Sequence, residues 1–470
     1  VMYKGYVMNI GLEVHVELKT LSKIFCSCPT LYGAEPNTHV CPVCLAMPGA
    51  LPVLNKKAVE YALMAGIALD CEINLECKMD RKNYFYPDLP KAYQISQYDV
   101  PLCRKGYLDI ETETGGKRIR INRIHLEEDA GKLIHNEKEE TLIDCNRCGV
   151  PLIEIVTEPD MESKEEADLF LNKLRTVLLN LGISDCRMNE GSFRVDVNLS
   201  VRKQDNSELG TRTEMKNLNS FAFIQKAIEY EFKRQVESIT ENKPIEQETR
   251  RYDEKSRKTF TMRKKEDADD YRYFPDPDLV KIKLEKDYVE NIKKNLPDLA
   301  SKRKPQMMTK YGLSSYDCEM LLTDMELAAL FENAAEYTKA YKSLSNLIIS
   351  KKDSVLGIVP ERLAKIADMS NNELINAMTA RRLIDMLLEK DFDIEKEVEE
   401  KQMGQINDEK ILAAYVKQAL EMNKKAIESY NKGNLQAIGP IIGQVMKLTR
   451  GYGNPEKIND IVVKCLNDIS

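Results

Sequence analysis

The stretch IGLEVHVELKT, residues 10–20, sets the architecture of the first half of the chain. Read with a period of two, it separates an apolar side from a polar side: Leu12, Val14, Val16 and Leu18 against Glu13, His15 and Glu17. This alternation predicts a half-buried β-strand. The polar side has two explanations. It is either a solvated outer face, which is the commoner case, or a set of ligands for a hard cation, because carboxylates with one imidazole suit magnesium or manganese.

Further strands with polar sides follow in the first half of the chain. RVDVNLSVR, residues 194–202, places Arg194 and Asp196 on its polar side. The alternation in RIRINRIHLEED slips near Asn122, before Glu127, Glu128 and Asp129, and such a slip predicts a β-bulge that re-aims side chains. PLIEIVTEPD places Glu154 inside an apolar strand. A carboxylate buried there needs a partner, because an uncompensated buried charge is costly.

Composition limits the class of protein. A chain of 470 residues is too long for one hydrophobic core, so two or three domains are expected. The formal net charge of -7 argues against a generally basic nucleic-acid coat but leaves room for local basic patches. Without a long apolar run or an export signal, we expect a cytoplasmic protein with no membrane span.

The pattern of predicted elements changes along the chain. Strands and helices alternate up to the basic stretch IKKNLPDLASKRKP, residues 292–305, and amphipathic helices follow it. The acidic segment DFDIEKEVEEK, residues 391–401, is predicted to be a mobile joint before a last helical block. The expected fold class is α+β. It comprises a mixed-sheet domain (1–292), a helical domain (293–405) and a small helical tail domain (406–470).

The most specific local pattern is a cysteine cluster. Residues 26–44 give C-x-C, twelve intervening residues and C-x-x-C, formed by Cys26, Cys28, Cys41 and Cys44. Two close pairs separated by such a loop can bind structural zinc tetrahedrally, which leaves no coordination position for a substrate. The alternative is four unrelated buried thiols. Cys145 and Cys148 form another C-x-x-C, which we interpret as interior residues, with a second metal site as the less common alternative.

Several phrases carry a family resemblance. They keep their order over the first 280 residues: IGLEVHVELKTLSKIF, DRKNYFYPDLPKAYQISQYD, HLEEDAGK, PLIEIVTEPD, TEMKNLNSF, QETRRYD and DDYRYFPDPDL. Together with the closing IGPIIGQVMKLTRGYGNP, they resemble the GatB family, the B subunits of bacterial tRNA-dependent aspartyl/glutamyl amidotransferases. The resemblance extends over essentially the whole chain.

The resemblance implies a heterotrimer with a glutaminase A subunit and a small C subunit. The B subunit would use ATP to phosphorylate the side-chain carboxylate of Glu-tRNA(Gln), Asp-tRNA(Asn) or both, and ammonia from the glutaminase would then displace the phosphate. The family's magnesium ligands fall on Glu13, His15, Glu128 and Glu154, and Asp196 falls at a site of the same kind. Arg194 is a candidate to stabilise the transferring group. The chain has no P-loop motif, so ATP must be held in another way.

Nucleic-acid contacts are less specific in the sequence. The tail block carries basic residues near predicted helix ends: Lys424, Lys425, Lys447, Arg450 and Lys457. Such residues can bind RNA phosphates but commonly serve only solubility, and the resemblance favours tRNA binding. The tyrosine-rich segment 80–99 is either part of a surface for the tRNA end or a partner, or a structural aromatic cluster.

Two functions of other classes remain open at this point. A non-catalytic tRNA-binding scaffold would use zinc and the acidic strands structurally. A metal-dependent phosphotransferase acting on a small carboxylate would use the acids but would leave the helical tail unexplained. Convergence of the acids on one pocket distinguishes catalysis from a scaffold.

Overall fold

The computed structural model describes residues 2–135, 140–264, 271–298, 300–352, 354–431 and 434–469. It divides into two compact units, Val1–Leu299 and Ala300–Ser470. The first unit contains all the named strands together with four helices, whereas the elements of the second unit are helical. The prediction of an α+β protein is therefore confirmed. The three-domain division at residues 292 and 405 stays a prediction.

The strands of the first unit form one large sheet and three small ones. In chain order they are β1 Met2–Tyr3, β2 Tyr6–Glu17, β3 Glu72–Ile73, β4 Glu76–Cys77, β5 Asp80–Asn83, β6 Tyr93–Ser96, β7 Cys103–Thr112, β8 Gly115–Glu128, β9 Lys132–His135, β10 Thr141–Asp144, β11 Pro151–Thr157, β12 Phe193–Lys203, β13 Thr213–Lys216, β14 Glu248–Asp253, β15 Lys258–Lys264, β16 Phe274–Pro275 and β17 Ile282–Lys283. Ten of them belong to the large sheet.

The large sheet is mixed. Its order is β15-β14-β13-β12-β2-β11-β8-β7-β3, with β1 paired to β2. All of its pairings are antiparallel except the parallel pair β13–β14. Strand β2 therefore lies between β12 and β11, so segments far apart in the sequence meet on either side of it.

Strand β2 has the two faces that its alternation predicts. Leu12, Val14 and Val16 are at most 1% exposed and belong to the core of the first unit. Helices cover this apolar face: α1 Lys56–Ala68, α2 Lys164–Asn180 and α3 Phe221–Thr240 supply buried residues to the same core. At about 25 cal/mol per Å² of buried apolar area, this packing fixes which face of β2 points inward.

The predicted bulge in β8 is confirmed. Val156 of β11 pairs with Arg123, but the next residue of β11, Thr157, pairs with Ile121. Asn122 is therefore an extra residue in β8. The slip restores the phase that carries Arg123, His125 and Glu127 along one face of the sheet.

One of the three small sheets lies beside the large sheet. β16, β5 and β6 form a three-stranded sheet, and β6 contacts β8. The Ile95 amide of β6 donates to the Glu128 carboxylate at 2.8 Å, and the Gln94 side chain donates to the Glu128 carbonyl at 2.7 Å. These bonds attach the three-stranded sheet to the end of β8, beside the polar face of the large sheet.

The remaining helices begin just before the boundary between the units. They are α4 Lys286–Asn295, α5 Ala300–Tyr311, α6 Ser315–Leu321, α7 Met325–Ala334, α8 Tyr341–Ser350, α9 Pro360–Asn371, α10 Ala377–Glu389, α11 Ile394–Glu400, α12 Glu409–Met422, α13 Lys424–Asn431, α14 Ile438–Leu448 and α15 Pro455–Ile469, with 3₁₀ turns at Val355–Gly357 and Leu435–Ala437. None of the helices in the described part of the chain is long and apolar enough to cross a bilayer.

The second unit has two hydrophobic cores. One includes residues of helices α5 to α11 and the other residues of α12, α14 and α15. The acidic segment 391–401 contributes to the first of these cores through helix α11. Its Ile394 and Val398, four residues apart on one helix face, are buried there. The dense charges of this segment conceal its apolar pair in the sequence.

Candidate active site and zinc site

The polar face of the large sheet brings carboxylates and imidazoles together. His15 of β2 lies directly opposite Glu154 of β11, and Glu154 lies opposite His125 of β8. Glu127 stands two residues along β8 on the same face. One ligand atom each of His15, Glu127 and Glu154 lies within 4.8 Å of the others. We refer to these three residues as the histidine–carboxylate group.

The side chains of this group and His125 lie close to one another. His15 Nε2 lies 3.5 Å from Glu127 and 3.6 Å from Glu154, and His125 Nε2 lies 3.2 Å from Glu154. Burial alone would raise the pKa of Glu154, but His125 and His15 hold it well below its usual value. Burial likewise opposes the charge of Glu127, and the hydrogen bond from His125 lowers the pKa of that carboxyl. Both carboxyls are therefore poised as anions, the form that binds a cation.

A second group lies on the neighbouring strands. Asp196 of β12 is directly opposite Glu13 of β2, and Glu214 comes from β13. One carboxylate oxygen of each of these three residues lies within 4.8 Å of the others. The Lys216 ammonium lies 2.6 Å from Asp196 and 3.5 Å from Glu214. Glu13, Asp196 and Glu214 form the tricarboxylate group.

A lysine and an amide side chain contact the carboxylates of this second group. Burial disfavours the charge of Lys216, yet Asp196 and Glu214 raise its pKa above the usual value. The Asn198 side chain donates to Glu13 at 2.8 Å. Sets of three carboxylates of this kind suit Mg²⁺ or Mn²⁺.

Glu128, one of the predicted magnesium ligands, is not in either group. Its carboxylate pairs with Lys91 and accepts the Ile95 amide. Successive residues of a strand point to opposite faces, so Glu127 and Glu128 cannot both face the histidine–carboxylate group. Glu127 takes the place expected for Glu128. Continuing the alternation from Arg123 through His125 would have identified Glu127 from the sequence.

Arg194 lies beside the histidine–carboxylate group in a separate network. It is opposite His15 across β2 and β12, and its guanidinium donates to Asp129 at 2.8 Å. Burial, followed by the neighbouring charge of Asp129, raises the pKa of Glu17 to about 8. Burial opposes the charge of Asp129 as well, but Arg194 and Arg147 lower its pKa. Glu17 and Asp129 therefore share a proton near neutral pH, and the charge of Arg194 is largely engaged by Asp129.

The four cysteines of the predicted zinc site converge. One Sγ atom each of Cys26, Cys28, Cys41 and Cys44 lies within 4.8 Å of the others. A hydrogen bond from Cys26 is the main cause that lowers the pKa of Cys44 to about 4, so this thiol is readily a thiolate. A set of four sulfur ligands in one loop fits structural Zn²⁺ and offers no open position.

Lys23 connects this cluster with the second cysteine pair. It is fully buried, and its ammonium donates to the His39 carbonyl at 2.8 Å and to the Cys145 carbonyl at 3.3 Å. Cys145 and Cys148 are buried at a turn in which the Cys148 amide donates to the Cys145 carbonyl at 3.1 Å. Among the described residues they belong to no group of three metal-binding side chains.

The basic residues of the tail lie at helix ends. Lys424 and Lys425 begin α13 and are exposed, as are Lys447 at the end of α14 and Arg450 in the turn after it. Lys457 differs, since its ammonium donates to the Asn407 carbonyl at 3.1 Å within the second unit. It is therefore less available to a ligand than the other four.

Comparison with known families identifies the family of the chain. A model of the GatB/GatE catalytic domain matches residues 8–290, and a model of the GatB domain matches residues 329–466. The chain belongs to the GatB family. The family resemblance predicted from the sequence is thus confirmed. The GatB/GatE catalytic match contains both carboxylate groups and the four cysteines, and the GatB domain match contains the basic residues of the tail.

Relatives in the GatB family match from end to end. The B subunit of the aspartyl/glutamyl-tRNA(Asn/Gln) amidotransferase of Caldicellulosiruptor saccharolyticus is 51% identical over 99% of this chain and 100% of its own length. The proteins of the same name from Thermoanaerobacter pseudethanolicus and Thermodesulfovibrio yellowstonii are 48% and 45% identical, and each alignment covers at least 97% of both chains.

Proposed function

We propose that this chain is the kinase subunit of a tRNA-dependent amidotransferase. It transfers the terminal phosphoryl group of ATP to the side-chain carboxylate of glutamate on tRNA(Gln), of aspartate on tRNA(Asn), or of both. Ammonia from a glutaminase A subunit then displaces the phosphate, within a heterotrimer that includes a small C subunit. The names of the relatives support the amidation of these tRNAs. The observation that carries the kinase assignment is that the histidine–carboxylate group and the tricarboxylate group lie on one face of the large sheet.

The reaction brings two anions together. A side-chain carboxylate oxygen attacks the terminal phosphorus of ATP, the bond from that phosphorus to the bridging oxygen breaks, and ADP leaves with the electron pair. Divalent cations bound by the two groups would neutralise this charge and align the reactants. His15, Glu127 and Glu154 suit one such ion and Glu13, Asp196 and Glu214 another, because each set places its ligand atoms within 4.8 Å.

Fixed protein groups hold these ligands in position. His125 donates to Glu154 from the neighbouring strand, and Lys216 does the same for Asp196. Because all six candidate ligands lie on paired strands, the sheet fixes their spacing before any ligand binds. A scaffold subunit would have no need for two such preorganised anionic groups on one face. This arrangement favours catalysis over the scaffold function.

Two further assignments complete the proposal. The four-cysteine loop binds zinc structurally. Lys424, Lys425, Lys447 and Arg450 contribute to a phosphate-binding surface for tRNA, since all four are exposed at helix ends. Lys457 contributes less, because it is hydrogen-bonded to Asn407. A helical tail that binds tRNA also distinguishes this function from phosphorylation of a small free carboxylate.

Glu154→Gln tests the kinase assignment in the purified multi-subunit complex. The substitution keeps the shape of the side chain but removes an anion from the histidine–carboxylate group. We expect phosphoryl transfer from γ-labelled ATP to Glu-tRNA(Gln) or Asp-tRNA(Asn) to fall about 100- to 1,000-fold. Amide formation should fall in parallel, whereas glutamine hydrolysis by the partner subunit should persist.

The matched control is Glu165→Gln, on the exposed side of α2. It should behave like the unsubstituted complex in all three assays. Equal phosphoryl transfer by Glu154→Gln and the control would refute the kinase assignment. Testing each aminoacyl-tRNA separately shows which of them this chain's complex uses.

A further inference from the structure

Lys82 is an unusual cation beside the candidate active site. It lies on β5, in the three-stranded sheet that is attached to the end of β8. Its ammonium lies 4.9 Å from the ring centre of Tyr271 and 5.8 Å from that of Tyr84. Tyr273, which stacks on Tyr98 with ring centres 4.3 Å apart, completes the aromatic surroundings. The side chain is half-buried in the structure.

Three of the cations around Lys82 are paired. Lys78 lies 2.7 Å from Asp99, Arg81 lies 2.7 Å from Asp276, and Lys91 pairs with Glu128. Lys82 has no carboxylate within 4.0 Å among the residues that the structure describes. The histidine–carboxylate group and the tricarboxylate group together form what we call the acidic face. The three-stranded sheet thus places one ammonium near the acidic face without giving it an ion-pair partner.

Lys82 nevertheless interacts with the histidine–carboxylate group at longer range. Burial opposes its charge, but Tyr273, Glu127 and Glu154 together raise the pKa of Lys82 above its usual value. The charge of Lys82 in turn contributes to the lowered pKa of Glu154. The ammonium is therefore held as a cation, separated from these carboxylates by more than ion-pair distance.

An ammonium near carboxylates that would bind divalent cations suits a polyanion. Three N–H donors on Lys82 are available to oxygen acceptors, since ring faces satisfy an ammonium only in part. Phosphate oxygens that bridge a lysine and divalent cations are a recurrent arrangement in phosphoryl transfer. The aminoacyl carboxylate carries a single charge and would need less compensation than the terminal phosphoryl group.

We propose that Lys82 is a further catalytic residue, which binds oxygens of the terminal phosphoryl group of ATP as it passes to the aminoacyl carboxylate. This inference rests on the proposed function. Lys82 keeps its proton throughout: the new bond joins carboxylate oxygen to phosphorus, the bond to the bridging oxygen breaks, and ADP takes the electron pair. The role of Lys82 is to neutralise charge on the non-bridging oxygens.

Nucleotide affinity separates this role from a structural one. In the purified complex with Mg²⁺, Lys82→Met should weaken binding of the non-hydrolysable ATP analogue AMPPNP about tenfold or more, while ADP affinity changes less than about twofold. Only AMPPNP presents the terminal phosphoryl group. Phosphoryl transfer to aminoacyl-tRNA should fall about 100-fold or more, and Lys82→Arg should recover part of the loss because it restores the charge.

Lys281→Met is the matched control, since Lys281 is exposed and pairs with Glu76 away from the acidic face. It should leave both affinities and the transfer rate unchanged. Equal weakening of AMPPNP and ADP by Lys82→Met, or no weakening of either, would overturn the assignment. If the unsubstituted complex transfers no phosphate, the proposed function fails instead. The two affinities still report on Lys82 in that case.

Discussion

Two regions of this GatB-family chain can bind metal, and they are built in opposite ways. The four-cysteine site takes its candidate ligands from one loop, residues 26–44, and its four thiols lie within 4.8 Å of one another. The acidic face takes its ligands from β2, β8, β11, β12 and β13, over residues 13–214. A loop site depends on its metal for shape, whereas a site on a paired sheet has its shape before a metal binds. At the cysteine site a bound metal would stabilise the fold, whereas at the acidic face the fold positions the ligands for a metal.

The cationic side chains beside the two regions also differ. A single buried ammonium, Lys23, lies beside the cysteine site and is bonded only to carbonyl oxygens among the described residues. The acidic face contains its own cations in register with its acids: His125 with Glu154 and Lys216 with Asp196. His125 helps to keep Glu154 ionised by lowering its pKa, and Lys216 holds Asp196 in place through a hydrogen bond.

The largest expected effect separates two adjacent residues of the acidic face. Glu127→Gln removes an anion from the histidine–carboxylate group and should lower phosphoryl transfer about 100- to 1,000-fold. Glu128→Gln should lower it less than about tenfold, because Glu128 faces Lys91 and the Ile95 amide instead. Both rates are measured with labelled ATP and aminoacyl-tRNA. A larger loss for Glu128 than for Glu127 would show that the ligand set includes Glu128.

The next effect concerns the cysteine site. Cys44→Ser should lower zinc affinity at least about 100-fold in a chelator competition, because a neutral hydroxyl replaces a thiolate ligand. Protease cleavage within residues 26–44 should increase in the zinc-depleted protein, whereas AMPPNP affinity should stay within about threefold of the original. Cys465→Ser in the second unit, outside the cluster, is the control. Unchanged zinc affinity would exclude Cys44 as a ligand.

The contrast between the regions also explains what could be predicted from the sequence. The cysteine spacing is local, and the four residues it indicates do converge. The polar side of β2 could also be predicted, because period-two alternation fixes which residues share a face. Tail helices and the α+β class followed from changes in periodicity. Each of these features depends on neighbours in the chain.

The missing members of the acidic face depend on long-range pairing. Glu214 joins Glu13 only because β13 pairs with β12, and β13 is a strand of four residues with little signal of its own. Glu127 is the exception, because the local alternation of β8 after the bulge at Asn122 already places it, rather than Glu128, on the face that carries His125. Lys82 was included in a tyrosine-rich segment without a role, since only the attachment of β6 to β8 brings that segment to the acidic face. Strand order and register cannot be predicted from any one segment of the sequence, because they depend on how distant segments pair.

The smallest expected effect uses the shared proton at the end of the acidic face. The pKa of Glu17 is raised from 4.5 to about 8, so between these values the folded chain keeps a proton that the unfolded chain releases. Stability must therefore fall as the pH rises through that window. Glu17→Gln mimics the protonated form, can still donate to Asp129 and does not titrate. Its unfolding temperature, relative to that of the unsubstituted chain, should rise by roughly 2–4 °C between pH 5 and 8 and then level off.

Glu165→Gln, on the exposed side of α2, should show no such change with pH. A constant difference for Glu17→Gln, or one that falls with pH, would mean that Glu17 and Asp129 are both ionised in the folded chain. Arg194 and Arg147 would then have to balance two carboxylates instead of one. Arg194 would consequently have no charge to spare for the transferring phosphoryl group, and Lys82, which has no carboxylate within 4.0 Å among the described residues, would have to serve it.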